Sequence, residues 1–279
     1  MIQLVALDFD GTIAARRQPF DKDMVAYIKR WRDIGIQTVV CSGRPYRSLK
    51  RELEAFDEEL PIISNNGNLI RYKNSAETLF KNVFPKEYLK PICDAMIRRN
   101  IHPIFHVDSY EKGYDLVTLF ETTEREASYI SFYENLYRQL TIDEVLREDV
   151  LVIAGYTTPD VYEDLISEDA LKKSGLTPHL LKSVDKKLSL FEIIGNSDKW
   201  RGLSVFAEKM GIDAADILAF GDDMNDKSMV EHAGIGVAMD SAPEAVKAVS
   251  DKICTVSPKE YGAFKLADQI IRKERTDEH

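Results

Sequence analysis

The chain opens on a near-continuous hydrophobic run, Ile2 to Leu7, and a second run of the same kind, Ile36 to Cys41, lies downstream. Unbroken apolar runs of this length predict strands covered on both faces. Between them Met24, Tyr27, Ile28, Trp31 and Ile34 recur at helical spacing, and Gly35 stands where a helix would end. The same order returns near the other end of the chain. There ILAF (217–220) runs into GDDMND, GVAM (236–239) follows DKSMVEHAG, and KICTV (252–256) follows APEAVKAVS. Strands alternating with helices predict βαβ units, so the two ends are expected to build one parallel sheet with its ligands at the strands' carboxyl ends.

The middle of the chain has another texture. Segments 101–108, 113–120, 150–156, 177–184 and 188–194 read as strands, several of them alternating apolar with polar, and helices are expected over Lys86–Arg99 and Asp160–Lys173. Alternation suits a sheet packed on one face and wet on the other. The expected architecture is therefore α/β: a Rossmann-like parallel-sheet core from 1–82 and 190–279, with an inserted α+β domain over 83–189. No internal repeat or low-complexity tract interrupts it.

Composition narrows the setting. With 279 residues, 44% of them hydrophobic, the chain has the material for a large buried core. Its 37 Lys and Arg against 47 Asp and Glu give a net charge of −10, which repels nucleic acid and anionic membranes, and no basic patch offsets it. Cys41, Cys93 and Cys254 are few and scattered, as suits a reducing compartment. No secretory signal or apolar stretch of about 20 residues is present, so a cytoplasmic protein without a membrane partner is expected.

The chemistry concentrates where strands end. Asp8 and Asp10 follow the first run at spacing i, i+2; in extended chain they point the same way and repel unless a positive charge lies between them. A divalent cation resolves this. Mg2+ takes oxygen ligands, keeps several waters and is held by one or two carboxylates together with substrate phosphate. GDDMND (Asp222, Asp223, Asp226) supplies further acid from another strand end. Beside such a metal one Asp can attack a phosphoryl group while a second acid protonates the leaving oxygen.

DFDGT (8–12), SGRP (42–45), Lys199 in SDKWRGL and GDDMND (221–226) stand in the order of the motifs of the haloacid dehalogenase-like (HAD) phosphatase superfamily, and the chain resembles its members. The insert after SGRP, with SNNG at 64–67, resembles the Cof-type branch (subfamily IIB) and its C2-type cap. The resemblance implies Asp8 as nucleophile and Mg2+ ligand, and Asp10 as general acid/base that binds the metal through its backbone carbonyl. It also implies Asp222 as the next ligand, with Asp226 and Asp223 supporting the metal's waters. Ser42, Gly43, Phe9, Lys199 and Asn225 would hold the phosphoryl group. Lys199 would also offset the charge of the acids.

Two stretches depart from the family pattern. Trp200 and Arg201 separate Lys199 from Gly202, where the family runs Ser-Lys-Gly, and Asp240, Ser241 and Ala242 replace a more usual Gly-Asn-Ala. Arg16 and Arg17 either meet an anionic substrate or face solvent. Taken alone, SGRP is a turn signal and a lone DxD is a frequent turn or cap. In IHPIFHVD, a strand would put His102, His106 and Asp108 on one face, either solvated or in contact with substrate. They are spread too far along a strand to hold a metal together.

The expected function is a Mg2+-dependent phosphatase acting on a small phosphorylated metabolite, such as a sugar phosphate or phosphorylated cofactor, through an aspartyl-phosphate. A phosphomutase on the same core and a non-enzymatic phosphometabolite sensor are the alternatives.

Overall fold

The computed structural model describes residues 1–15, 19–132, 136–180, 188–195 and 197–276. Arg16 and Arg17 lie outside the described residues, as does the part of the strand expected over 177–184 that follows Leu180. The chain divides into two compact units: residues 1–81 with 197–279, and residues 82–196.

In chain order the first unit contributes β1 (Leu4–Asp8), α1 (Lys22–Asp33), β2 (Gln37–Cys41), α2 (Tyr46–Glu52), β3 (Pro61–Ser64), β4 (Leu69–Tyr72) and β5 (Thr78–Lys81). The second unit follows with α3 (Lys86–Arg98), β6 (Ile104–Ser109), β7 (Tyr114–Thr118), α4 (Glu124–Phe132), β8 (Tyr137–Gln139) and α5 (Ile142–Val145). It ends with β9 (Val150–Thr157), α6 (Pro159–Ile166), α7 (Asp169–Ser174), β10 (Thr177–Leu180) and β11 (Ser189–Ile194). The chain then returns to the first unit with α8 (Lys199–Met210), β12 (Ile217–Gly221), α9 (Lys227–His232), β13 (Ile235–Met239), α10 (Glu244–Lys247), β14 (Lys252–Cys254) and α11 (Gly262–Thr276).

An eight-stranded sheet in the order β14-β13-β12-β1-β2-β3-β4-β5 organises the first unit. Its strands are parallel from β14 to β3, and β4 and β5 continue it antiparallel. Every residue of β1 is buried, as its unbroken apolar run requires. Leu203, Phe206 and Ala207 of α8 and Met229 of α9 pack on Leu4, Ala6, Val39, Cys41 and Ile63. Helices α1 and α11 pack together through Trp31 and Phe264, whose rings stack 5.8 Å apart. Each such buried side chain contributes about 1.5–3 kcal/mol by leaving water. Helix α1 starts at Asp21, whose carboxylate accepts from the Asp23 and Met24 amides, and it closes just before Gly35, at φ +84°.

The second unit holds a six-stranded sheet, β10-β11-β9-β6-β7-β8, antiparallel except for β7 with β8. The return to the first unit, expected at residue 190, comes at 197: β11 pairs antiparallel with β9 along its whole length, and these ladder bonds keep it in the second sheet. The helix expected over 160–173 is two helices, α6 and α7. The expectation of one wet sheet face is corrected. One face carries the core of Phe105, Val117, Ile153 and Phe191 with α3 and α6, while α4, unforeseen in the sequence, packs Tyr129 and Ile130 on Ile104, Leu116 and Ala154 of the other.

Candidate active site

Register, not sequence proximity, assembles the acids. Leu7 of β1 pairs with Phe220 of β12, and Asp8 pairs with Cys41 of β2. Asp8, the Gly221–Asp222 turn and Ser42 therefore leave three neighbouring parallel strands at the same edge. From β1 the chain builds outward through β2 and β3 on one side, and later through β12, β13 and β14 on the other. The reversal falls between β1 and β12, where open parallel sheets form their binding crevice.

At that edge one carboxylate oxygen from each of Asp8, Asp222 and Asp226 lies within 4.8 Å of the others. Lys199, 1% exposed, donates to Asp8 Oδ1 at 2.6 Å and to Asp226 Oδ1 at 2.5 Å. The other oxygen of Asp226 accepts from the Asp222 and Asp223 amides, both at 3.0 Å. Asp226 thus accepts three hydrogen bonds and fixes the backbone that carries Asp222. Asp8 Oδ2 differs: it is buried and, among the described residues, accepts no hydrogen bond. A direct bond between Asp8 and Asp222 requires a proton on one of them, so as two anions they only repel.

One ammonium faces three carboxylates, and the ionisation equilibria respond. Burial, then the charge of Asp226, pushes the Asp8 carboxyl well above the usual range, with Asp222 adding to the shift and Lys199 opposing it. Burial and Asp226 push Asp222 up to about 6. Burial works to lower the Lys199 pKa, but the charges of Asp226 and Asp8 outweigh it and raise it. The cluster is short of positive charge.

Small residues permit the close approach. Gly11 sits at φ +85°, and a Cβ there would stand 2.2 Å from Asp222 Oδ2, so neither the conformation nor the space admits a side chain. Lys199 opens α8, capped by Asp198, whose carboxylate accepts from the Arg201 amide at 2.7 Å. Gly202, one turn on, packs against Gly67 so closely that a Cβ would lie 2.8 Å from the Gly67 Cα. The inserted Trp200 and Arg201 therefore leave Lys199 and Gly202 on one helix face; Trp200 turns aside and stacks on His232 at 5.5 Å. Asp240 and Ser241 are exposed in the turn after β13, while Ala242 is buried.

A second set of contacts ties the loops together. Asn225 Nδ2 donates to Asn66 Oδ1 at 3.0 Å, and that oxygen would lie 3.1 Å from a Cβ at Gly43. The Asn66 amide donates to the Ser42 carbonyl, and the Ser42 Oγ accepts from the Arg44 amide at 3.2 Å. Asp10 turns to Arg44, whose Nε and Nη2 donate to its Oδ2 and Oδ1 at 2.7 and 2.5 Å. Arg44 and Asn66 escaped the sequence reading. They lie inside SGRP and SNNG respectively, and Asn66 holds a left-handed φ of 52°, a conformation that Asn adopts more readily than most residues.

A family model of haloacid dehalogenase-like hydrolases matches residues 5–264, through both units. The chain belongs to this family. Among similar proteins of this hydrolase, a Bacillus subtilis protein named 5-amino-6-(5-phospho-D-ribitylamino)uracil phosphatase YitU is 25% identical over 276 residues, covering 96% of this chain and 97% of the relative. Pyridoxal phosphate phosphatase YbhA of Escherichia coli is 24% identical over 88% of this chain and 90% of its own. A crystal structure of a haloacid dehalogenase-like hydrolase from Bacteroides thetaiotaomicron superposes with a TM-score of 0.78 at 25% identity, covering 97% of this chain and 100% of that one.

In the hydrolase's second unit the expected polar face of His102, His106 and Asp108 does not form. β6 begins at Ile104, so His102 precedes it, and pairing shifts register at His106. His106 is 1% exposed, and its Nε2 shares a hydrogen bond with the Tyr129 hydroxyl at 2.7 Å under α4. Burial pushes its pKa down to about 4, so it is neutral at pH 7. That fits a core histidine rather than one offered to a substrate. His102 Nδ1 lies 3.2 Å from Glu126, and Asp108 is half-buried. No helix among the described residues is long and apolar enough to cross a membrane.

Proposed function

We propose that this hydrolase is a Mg2+-dependent phosphatase that cleaves small phosphomonoesters through an aspartyl-phosphate at Asp8. The observation that carries the reading is the setting of Asp8, whose Oδ1 is pinned by Lys199 while the buried Oδ2 has no donor among the described residues, at the switch point of a parallel sheet. One oxygen is oriented and the other is kept for an electrophile or a cation.

The donor set fits Mg2+: all its side-chain donors are hard carboxylate oxygens, and they carry more negative charge than Lys199 offsets. Asp8, Asp222 and the Asp10 backbone carbonyl would hold the ion. Asp226, whose oxygens already accept from Lys199 and two amides, would support it by fixing Asp222. When bound, Mg2+ lessens the repulsion between the carboxylates and the phosphate oxygens.

Asp8 attacks phosphorus, the ester P–O bond breaks, and Asp10 gives its proton to the departing oxygen. Asp10, now ionised, takes a proton from water, which attacks the aspartyl-phosphate; inorganic phosphate leaves and the Asp8 carboxylate is restored. Ser42, the amides of Gly43 and Phe9, and Asn225 meet the equatorial oxygens on which charge develops. Lys199 has three protons, and its two carboxylates leave one donor for the same purpose.

The relatives named for a phosphorylated ribitylaminouracil and for pyridoxal phosphate support a substrate that joins a phosphomonoester to a small polar or heterocyclic group. Asp8→Asn is expected to abolish Mg2+-dependent hydrolysis of p-nitrophenyl phosphate while the chain stays folded. Near wild-type turnover by that variant overturns the mechanism. Release of inorganic phosphate without an isomeric sugar phosphate distinguishes hydrolysis from phosphomutase action.

A further inference from the structure

Asp10 is the group asked to move protons, yet its side chain is 52% exposed. A carboxylate this open would rotate among several wells if nothing held it. Arg44 holds it from both oxygens, at 2.7 and 2.5 Å. The guanidinium is itself mounted. Its Nη1 donates to Glu52 Oε1, at the end of α2, at 3.0 Å, and its central carbon lies 5.2 Å from the centre of the buried Phe9 ring. The Arg44 carbonyl accepts from the Asn65 amide at 3.0 Å, and only 13% of its side chain is exposed. A nearly buried, thrice-anchored arginine thus fixes a half-exposed acid.

We propose that Arg44 is a positioning residue: its two-point fork takes one lone pair of each Asp10 oxygen and so fixes the rotamer of the carboxyl group, leaving the remaining lone pairs to carry the proton that is given to the leaving-group oxygen. The inference rests on the assignment of Asp10 as general acid/base. A preset acid loses no rotamer freedom when the ester bond breaks, which is how a fixed constellation lowers a barrier. A lysine at 44 would supply charge but not the planar fork.

The test compares kcat/KM on two substrates, a sugar phosphate, whose alkoxide must be protonated as it leaves, and p-nitrophenyl phosphate, whose phenolate leaves without help. Asp10→Asn is expected to lose roughly a hundredfold on the sugar phosphate and far less on the aryl ester. Arg44→Met should show the same selective pattern at smaller amplitude, and Arg44→Lys should restore only part of the loss. The double variant should be no slower on the sugar phosphate than Asp10→Asn alone, because Arg44 acts through Asp10.

Equal losses on both substrates in a folded Arg44→Met, or losses that multiply in the double variant, overturn the positioning role. Equal losses in Asp10→Asn itself would instead remove the assignment of Asp10, and the inference with it. Thermal unfolding reports whether Arg44→Met folds. If it does not, Glu52→Gln, which loosens the mount from its far side, should give a weaker loss confined to the sugar phosphate, and an unselective loss or none overturns the role.

Discussion

Lys199 Nζ lies 2.6 Å from Asp8 Oδ1, although 191 residues separate them in sequence. The same ammonium meets Asp226 at 2.5 Å, so a single buried cation joins the first strand to the GDDMND turn. Lys199→Met would leave both carboxylates buried without their counter-charge. A loss of about 3–5 kcal/mol in urea-induced unfolding is expected, together with loss of turnover. A variant as stable as the wild type would mean that the pair is not holding the edge together.

Metal and acid cluster can be separated at Asp222. Its folded-state pKa of about 6 stands above the ordinary 3.8, so the folded chain binds this proton more tightly than the unfolded chain. The group's contribution to stability therefore declines as pH rises from 3.8 to about 6. Without metal at pH 7, Asp222→Asn should be neutral or stabilising. Mg2+ at a hundred times its dissociation constant should raise wild-type stability by about 2.7 kcal/mol and the variant's far less, as followed by thermal unfolding. Equal stabilisation of both would remove Asp222 from the ligand set.

Gly11→Ala tests the close approach over Asp222. With φ at +85° and a methyl carbon placed 2.2 Å from a carboxylate oxygen, the turn must shift. A loss of more than about 1 kcal/mol is expected, and Mg2+ should stabilise the variant less. Wild-type unfolding and metal response in calorimetry would show that the turn yields without cost.

His106 gives the second unit an acid sensitivity. Burial depresses its pKa to about 4, below the ordinary 6.5, so the unfolded chain gains this proton first. Stability present above pH 6.5 is lost as pH falls towards 4, by about 3 kcal/mol for this group. The stability difference between wild type and His106→Phe, measured by urea unfolding across that range, should shrink or reverse towards acid. A constant difference would show that His106 is not the titrating group.

Much of the first unit was legible because its physics is local. An unbroken apolar run marks a strand buried on both faces, and β1, β2, β12 and β13 appear where such runs stand. The second unit was less legible for the same reason. Alternation along 101–108 says that two faces differ but not what lies above either, and α4 over 124–132, with polar residues spread around it, covered the face read as wet. β11 was read as a strand, but its sheet is decided by a partner, β9, and strand sequences do not encode partners.

The acids divide in the same way. The sequence by itself determined that Asp8, Asp10, Asp222 and Asp226 stand at or just after strand ends, because hydrophobic runs and the turn residues after them report burial and chain reversal directly. Only the tertiary structure decided that Lys199 bridges two of them, that Asp226 accepts from Lys199 and two amides, and that Asp10 belongs to Arg44. Those pairings depend on strand register and helix docking. Both are set by packing between segments remote in the chain, and no local pattern carries that information.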